Sequence, residues 1–253
     1  MRPYVLAESH WPAVRDAGYE VAVLPWGATE AHNTHLPYAT DNFQAEYVAI
    51  EAARRAWARG AKVVVLPAVP FGVNTGQLDV ALDMNLMPST QAAILGDVAD
   101  TLVRHGVRKL VVLNGHGGNH FRQMIRELGA SRPSLFMCVA NWYEAVDWNE
   151  YFDEPGDHAG EMETSAMLHI RSDLVRPLSE AGSGAAKRFS IAALRDGRAW
   201  AERQWTQVTA DTGVGDPSRA TAEKGARYLD ACCASLADFF VDLGRVDLND
   251  LYS

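Results

Sequence analysis

The chain has 253 residues, enough for one large domain with a sizeable core. Hydrophobic residues make up 48%, which excludes a disordered chain, and no apolar run approaches the roughly 18 residues of a membrane helix. A formal net charge of −9 argues against nucleic acid as a partner, and three cysteines, two of them adjacent, make no disulfide framework or thiolate zinc site. The opening MRPYVLAESHW carries acid and histidine too early for a secretory signal, so a cytoplasmic protein is expected.

Residues 1–20 read as a short amphipathic lead-in. Val21 to Leu24 then form a continuous apolar run, the pattern of a parallel strand covered on both faces. Pro25 and Gly27 break it, and Glu30, His32, His35 and Asp41 follow. In extended backbone Glu30 and His32 point to one side. Carboxylate, imidazole and aspartate just past a strand's carboxyl end are the ligand types of a Zn, Mn or Fe site. The spacing of Phe43, Tyr47, Ile50, Ala53 and Trp57 predicts a helix over 41–60. Asp41 stands where an N-cap would, and the ligand-rich flank favours a ligand instead.

A second buried strand is expected over 62–69, and a helix from Ser89 or Thr90 to His105, closed by Gly106. KLVVL at 109–113 reads as a third strand. It runs into Asn114-Gly115-His116-Gly117-Gly118-Asn119-His120 and a helix beginning near Phe121. A histidine among glycines at a strand end lets the backbone approach a ligand closely. His120 reads as a capping or surface residue, and Asn119 as a substrate contact. A fourth strand over 134–140 leads to Trp142, Tyr143 and Trp148, aromatics suited to wall a pocket.

GDHAGEMETS at 156–165 is expected to open another helix. On a helix His158 and Glu161 share a face, whereas Glu163 points roughly 140° away. That spacing selects Glu161 as the ligand and leaves Glu163 behind it or toward a neighbouring subunit. Residues 179–211 lack periodicity, and Trp200 and Trp205 there suggest a subunit contact or an excursion over the site. A long final helix carries Leu229, Cys233, Leu236 and Phe240 on its apolar stripe.

GATEAHNTHLPYATD, NGHGGN, HAGEMETS and GVGDPSRATAEKG, in that order and spacing, resemble the creatininase (creatinine amidohydrolase) family. The resemblance implies a single α/β domain over 1–253, a three-layer αβα sandwich on a mainly parallel sheet. It implies a metal-dependent hydrolase with two divalent ions, zinc first and manganese or iron next, assembled as a homohexamer. Carried over by position, Glu30 and His116 match ligands of one metal, His32 a ligand of the other, and Asp41 the bridging carboxylate. His158 matches the proton-transfer histidine, and Trp142 falls near a pocket tryptophan. Two departures stand out. Gly118 occupies the place of a metal-binding glutamate in creatininase itself, and relatives with NGHGGN supply that carboxylate from HAGE, again selecting Glu161. Glu154 and MNLMPST replace creatinine-pocket elements, so creatinine is not the expected substrate. The leading expectation is amide C–N hydrolysis of a small cyclic compound. C–C hydrolysis of a cyclic diketone such as a dehydro-inosose is the alternative, and a non-catalytic metal-binding oligomer the reading from another class.

Overall fold

The computed structural model describes residues 2–252. Its centre is a four-stranded, wholly parallel sheet ordered β2-β1-β3-β4. The strands are β1 (Val21–Trp26), β2 (Val63–Val65), β3 (Lys109–Asn114) and β4 (Phe136–Asn141). Strand β2 is shorter than the sequence pattern predicts, because Pro67 has no N–H to continue the ladder.

The strands are continuously apolar because helices cover both faces. Val21, Val23, Val63, Val65, Val111 and Leu113 face one core. That core is filled by α2 (Thr40–Ala58) and α8 (Ala222–Arg245), with α5 (Glu161–Arg171) packed on both helices. Ala22, Leu24, Trp26, Leu110 and Val112 face the opposite core with α3 (Pro88–Arg104) and α4 (Phe121–Ser131). This is the three-layer arrangement expected. No helix among the described residues is long and apolar enough to cross a membrane.

The remaining elements are short and lie outside the sheet and its covering helices. Helix α1 (Trp11–Asp16) precedes β1, and short helices α6 (Ala192–Arg195) and α7 (Trp205–Val208) lie in the aperiodic stretch. A small antiparallel ladder pairs β5 (Gly156–His158) with β6 (Val214–Gly215), opposing His158 to Val214 and Gly156 to Gly215. A Cβ at Gly156 would lie 2.7 Å from the Gly215 Cα, and Gly215 has φ +136°. Gly215 of the GVGD motif therefore serves a close backbone crossing with Gly156, next to His158 in the same ladder.

Helix α8 reaches α5 equally closely. Thr221 caps it by accepting from the Lys224 N–H at 3.2 Å, and Gly225 lies against the Ser165 carbonyl. Gly225→Ala has no room without moving one of the two helices. Its expected cost is about 1–3 kcal/mol, read as an earlier urea midpoint with little change in m; a wild-type midpoint would contradict this packing.

Candidate metal centre

Five elements deliver the site. Glu30 and His32 lie on the loop after β1, Asp41 in the first turn of α2, and His116 on the loop after β3. His158 ends β5, and Glu163 lies in the first turn of α5. Their ligand atoms form three overlapping trios: Glu30, Asp41 and His116; His32, Asp41 and Glu163; and Glu30, His32 and His158. Within each trio they lie within 4.8 Å of one another.

The backbone fixes the hydrogen on every imidazole. A carbonyl oxygen only accepts, so the ring nitrogen facing one must carry the hydrogen. His32 Nδ1 donates to the Glu30 carbonyl at 3.1 Å, His116 Nε2 to the Val73 carbonyl at 3.0 Å, and His158 Nε2 to the Ala31 carbonyl at 2.8 Å. The other nitrogen of each ring then turns toward carboxylates. His32 Nε2 is 3.0 Å from Asp41 Oδ1 and 3.8 Å from Glu163 Oε1. His116 Nδ1 is 2.8 Å from Glu30 Oε1 and 3.1 Å from Asp41 Oδ2. His158 Nδ1 is 3.8 Å from Glu30 Oε1.

Lone pairs aimed at anionic oxygens repel unless a positive charge lies between them. Glu30 Oε1 and Asp41 Oδ2 are buried and make no hydrogen bond of normal geometry. These orphaned atoms and the backbone-held imidazoles fit divalent cations. The two oxygens of Asp41 face different histidines, the geometry of a carboxylate shared by two ions.

With protons instead of metal, the same field shifts Glu30, three histidines and Glu163. Burial opposes ionisation of Glu30, but the His116 and His158 rings hold its carboxyl well below the usual range. Burial lowers the basicity of His32, yet Asp41 lifts it to about 10. His116 is likewise carried well above its ordinary value, by Glu30 and Asp41 against burial. Burial, then the neighbouring His32, keeps His158 below the ordinary histidine value. Burial pushes Glu163 up to about 7.

Glu30, His32, Asp41, His116 and His158 meet as the sequence leads one to expect. Glu161 does not join them. Its carboxylate is held by Lys224 and by the backbone N–H groups of Asp153 (2.8 Å) and Glu154 (2.7 Å). Glu163 takes the position beside His32 and Asp41 instead, with its second oxygen bonded to the Ala159 N–H. The reason is local. His158 is on a strand, not the helix, Ala159 has φ +52°, and α5 starts only at Glu161 with Gly160 as its N-cap. A helical face drawn from His158 therefore points to a glutamate that lies outside the cluster.

Two expected substrate contacts are also corrected. Trp142 is 1% exposed and packs in the core against Tyr143 and Tyr228. Asn119 is consumed by scaffold bonds. Its oxygen accepts from the Val73 N–H and Gln91, and its amide donates to Asn114 and the Gly27 carbonyl. His35 turns away to Thr164 Oγ1 at 2.8 Å. His120 occupies the N-cap of α4 with no capping bond.

Tyr143, Glu144, Trp148 and Met162 wall a cavity of about 300 Å³ that opens onto Glu30, Asp41, His116, His158 and Glu163. The Trp205 ring meets the His158 ring edge-on at 4.7 Å between centroids. Gln77 donates to Glu30 Oε2. Sequence reasoning assigned no role to Asn114, whose side chain braces the His116 N–H and carbonyl. Only its place at a strand end marked it.

Three comparisons bear on this geometry. The family described as "Creatininase: Creatinine amidohydrolase" matches residues 7–240. The mycofactocin precursor peptide peptidase of Mycobacterium tuberculosis is 30% identical over 223 residues, covering 83% of this chain and 80% of that protein. The creatinine amidohydrolase of Pseudomonas putida is 29% identical over 187 residues, 63% of this chain and 67% of that protein. A solved structure from Bacteroides fragilis, provisionally assigned as a creatinine amidohydrolase, is 44% identical with TM-score 0.93 over 100% of both chains. A manganese creatininase shares the fold at 23% identity, with TM-score 0.79 over 96% of this chain and 99% of the other.

Two outcomes are expected from the centre. Glu163→Gln lowers bound metal, measured by mass spectrometry after dialysis, whereas Glu161→Gln lowers thermal stability and leaves metal content near wild type. Metal affinity rises with pH between about pH 6 and 9, because protons on His32, His116 and Glu163 compete with the ion and leave as pH increases. Chelator competition at several pH values reads this slope, and a flat profile contradicts it.

Proposed function

This chain belongs to the creatininase family of metal-dependent hydrolases, and from that premise we propose that it cleaves the amide C–N bond of a small molecule, a cyclic amide first, as one catalytic domain. The observation that carries the proposal is Asp41, whose carboxylate lies between His32 and His116 with one oxygen toward each. Glu30, Asp41 and His116 would hold one divalent ion, and His32, Asp41 and Glu163 a second. The nitrogen-and-carboxylate donor set suits zinc, with manganese next. Bound there, such a pair supplies a Lewis acid for the carbonyl oxygen and acidifies water.

The chain's own groups supply the rest. In hydrolysis the water oxygen bonds to the carbonyl carbon, the C–N bond breaks, and a proton must reach the leaving nitrogen. His158 is built to carry that proton. Its Nε2–H is tied to the Ala31 carbonyl, so only Nδ1 exchanges protons with the cavity. Burial and His32 hold its basicity down, which eases release of the proton to an amine. Trp205 covers the ring and keeps bulk water off it. Tyr143 and Trp148 give the substrate flat walls.

Amide cleavage ranks ahead of C–C cleavage of a cyclic diketone because the curated relatives are named for amide chemistry. They are a peptidase, an amidohydrolase and a deformylase, the last from Methanothermobacter marburgensis. The cavity of about 300 Å³ supports a small substrate. Exposed Leu78, Leu82, Met84 and Met87 support assembly into a homo-oligomer, for which a hexamer is the family expectation.

A screen of lactams and N-formyl compounds with zinc- or manganese-loaded protein tests the activity. With a substrate in hand, His158→Asn keeps its metal while kcat falls about 100- to 10,000-fold. Full activity in that variant, or in thoroughly demetallated protein, contradicts the reading.

A further inference from the structure

The peptide groups that hold two of the metal-site imidazoles are themselves held from the far side. His32 Nδ1 donates to the Glu30 carbonyl at 3.1 Å. The same peptide unit carries the Ala31 N–H, which donates to Asp83 Oδ1 at 2.7 Å. His116 Nε2 donates to the Val73 carbonyl at 3.0 Å, and the N–H of that unit, from Asn74, donates to Asn85 Oδ1 at 2.8 Å. Each imidazole is thus linked through one peptide unit to a side-chain oxygen. Both oxygens come from one short stretch, Asp83-Met84-Asn85, where the chain departs from the creatininase loop pattern.

That stretch is sewn between the two loops it supports. The Met84 N–H donates to the Thr29 carbonyl at 2.9 Å, and the Leu86 N–H to the Gly72 carbonyl at 2.7 Å. Met84 thereby bridges Thr29, and Asn85 bridges Gly72. Leu82, just before, has φ +60°, a costly conformation for a leucine. Hydrogen bonds in series polarise one another. Negative charge on Asp83 draws the Ala31 hydrogen, makes the Glu30 carbonyl a stronger acceptor, and so pulls on the His32 ring N–H. The opposite nitrogen, Nε2, which faces Asp41, becomes a better electron donor. Asn85 acts on His116 in the same way without a charge. Asp83 spends its charge on this bond alone: its Oδ2 is buried and has no donor. Such an oxygen costs stability, whereas an asparagine could make the same bond to Ala31 uncharged.

From this arrangement we infer that Asp83 and Asn85 are positioning residues for the metal centre, Asp83 acting on His32 and Asn85 on His116 through one peptide unit each, and that the charge of Asp83 strengthens His32 as a ligand. The inference deepens the two-ion reading and rests on it for the word ligand. The link from Asp83 to the His32 ring N–H is measurable whatever the metal content. Because the support is charged behind His32 and neutral behind His116, the two ions are held unequally.

The test uses the zinc-loaded full chain and chelator competition at pH 8, which follows the release of each ion. Asp83→Asn keeps an acceptor for the Ala31 N–H and removes the charge; it is expected to weaken one ion about 10- to 100-fold and leave the other within about threefold. Asn85→Leu removes the acceptor behind His116 and is expected to weaken the other ion by a similar factor. Proton magnetic resonance supplies a readout that loose packing would not move. The downfield ring N–H resonance of His32, assigned by its loss in His32→Gln, shifts upfield in Asp83→Asn and stays in place in Asn85→Leu. Should Asn85→Leu fail to fold, Asp83→Asn still decides. An unmoved His32 resonance in Asp83→Asn, unchanged affinity for both ions, or equal weakening of both overturns the inference. A shifted His32 resonance in a protein that binds a single ion supports the Asp83 link and rejects the two-ion reading.

Discussion

Three carboxylates and three imidazoles crowd one largely buried spot at the carboxyl rim of a parallel sheet, and the charges of Glu30, Asp41 and Glu163 must be balanced for the fold to hold them there. Three buried negative charges repel one another strongly in a medium less polarisable than water. Two divalent ions bound as proposed would offset that repulsion, with Asp41 divided between them. In their place the protein retains protons: the neighbouring carboxylates make His32 and His116 more basic against their burial, and burial makes Glu163 less acidic. Metal binding and proton binding are therefore one linked equilibrium at this centre.

Much of the surrounding structure holds this balance in position. The parallel sheet ends three apolar strands at the same rim, which places the loops after β1 and β3 side by side. Backbone carbonyls of Glu30, Ala31 and Val73 set the three imidazole tautomers. Asn114 and Asn119 pin the glycine-rich loop that carries His116. The β5–β6 crossing pins His158, and Lys224 from α8 holds Glu161 so that the first turn of α5 presents Glu163 inward. The ligands are short, and their precision comes from these neighbours.

The sequence made the sheet and most of the ligands readable. Continuous apolar strands such as Val21–Leu24 and Lys109–Leu113 have no other stable home than a sheet covered on both sides. Glu30, His32 and His116 lie on loops just past strand ends and Asp41 opens the helix after the first of those loops, so the strand order brings them to one rim. What was not legible depended on backbone turns that no periodicity reports. Ala159 in the left-handed region and Gly160 as an N-cap move the helix start past His158, and that exchanges Glu161 for Glu163. Trp142 looked like a pocket wall because it follows a strand, but the helical turn it opens rolls it into the core and leaves Tyr143 and Trp148 at the cavity. Trp205 and Gln77 sit in aperiodic stretches, where only long-range packing assigns a role.

The proposed centre stands or falls on Asp41 being shared by two metal ions. Low-temperature electron paramagnetic resonance of the manganese-loaded protein tests it directly, since ions bridged by one carboxylate are magnetically coupled. The expected result is the spectrum of an exchange-coupled pair in the wild type and its loss in Asp41→Asn. A spectrum of isolated manganese ions at saturating metal would contradict it.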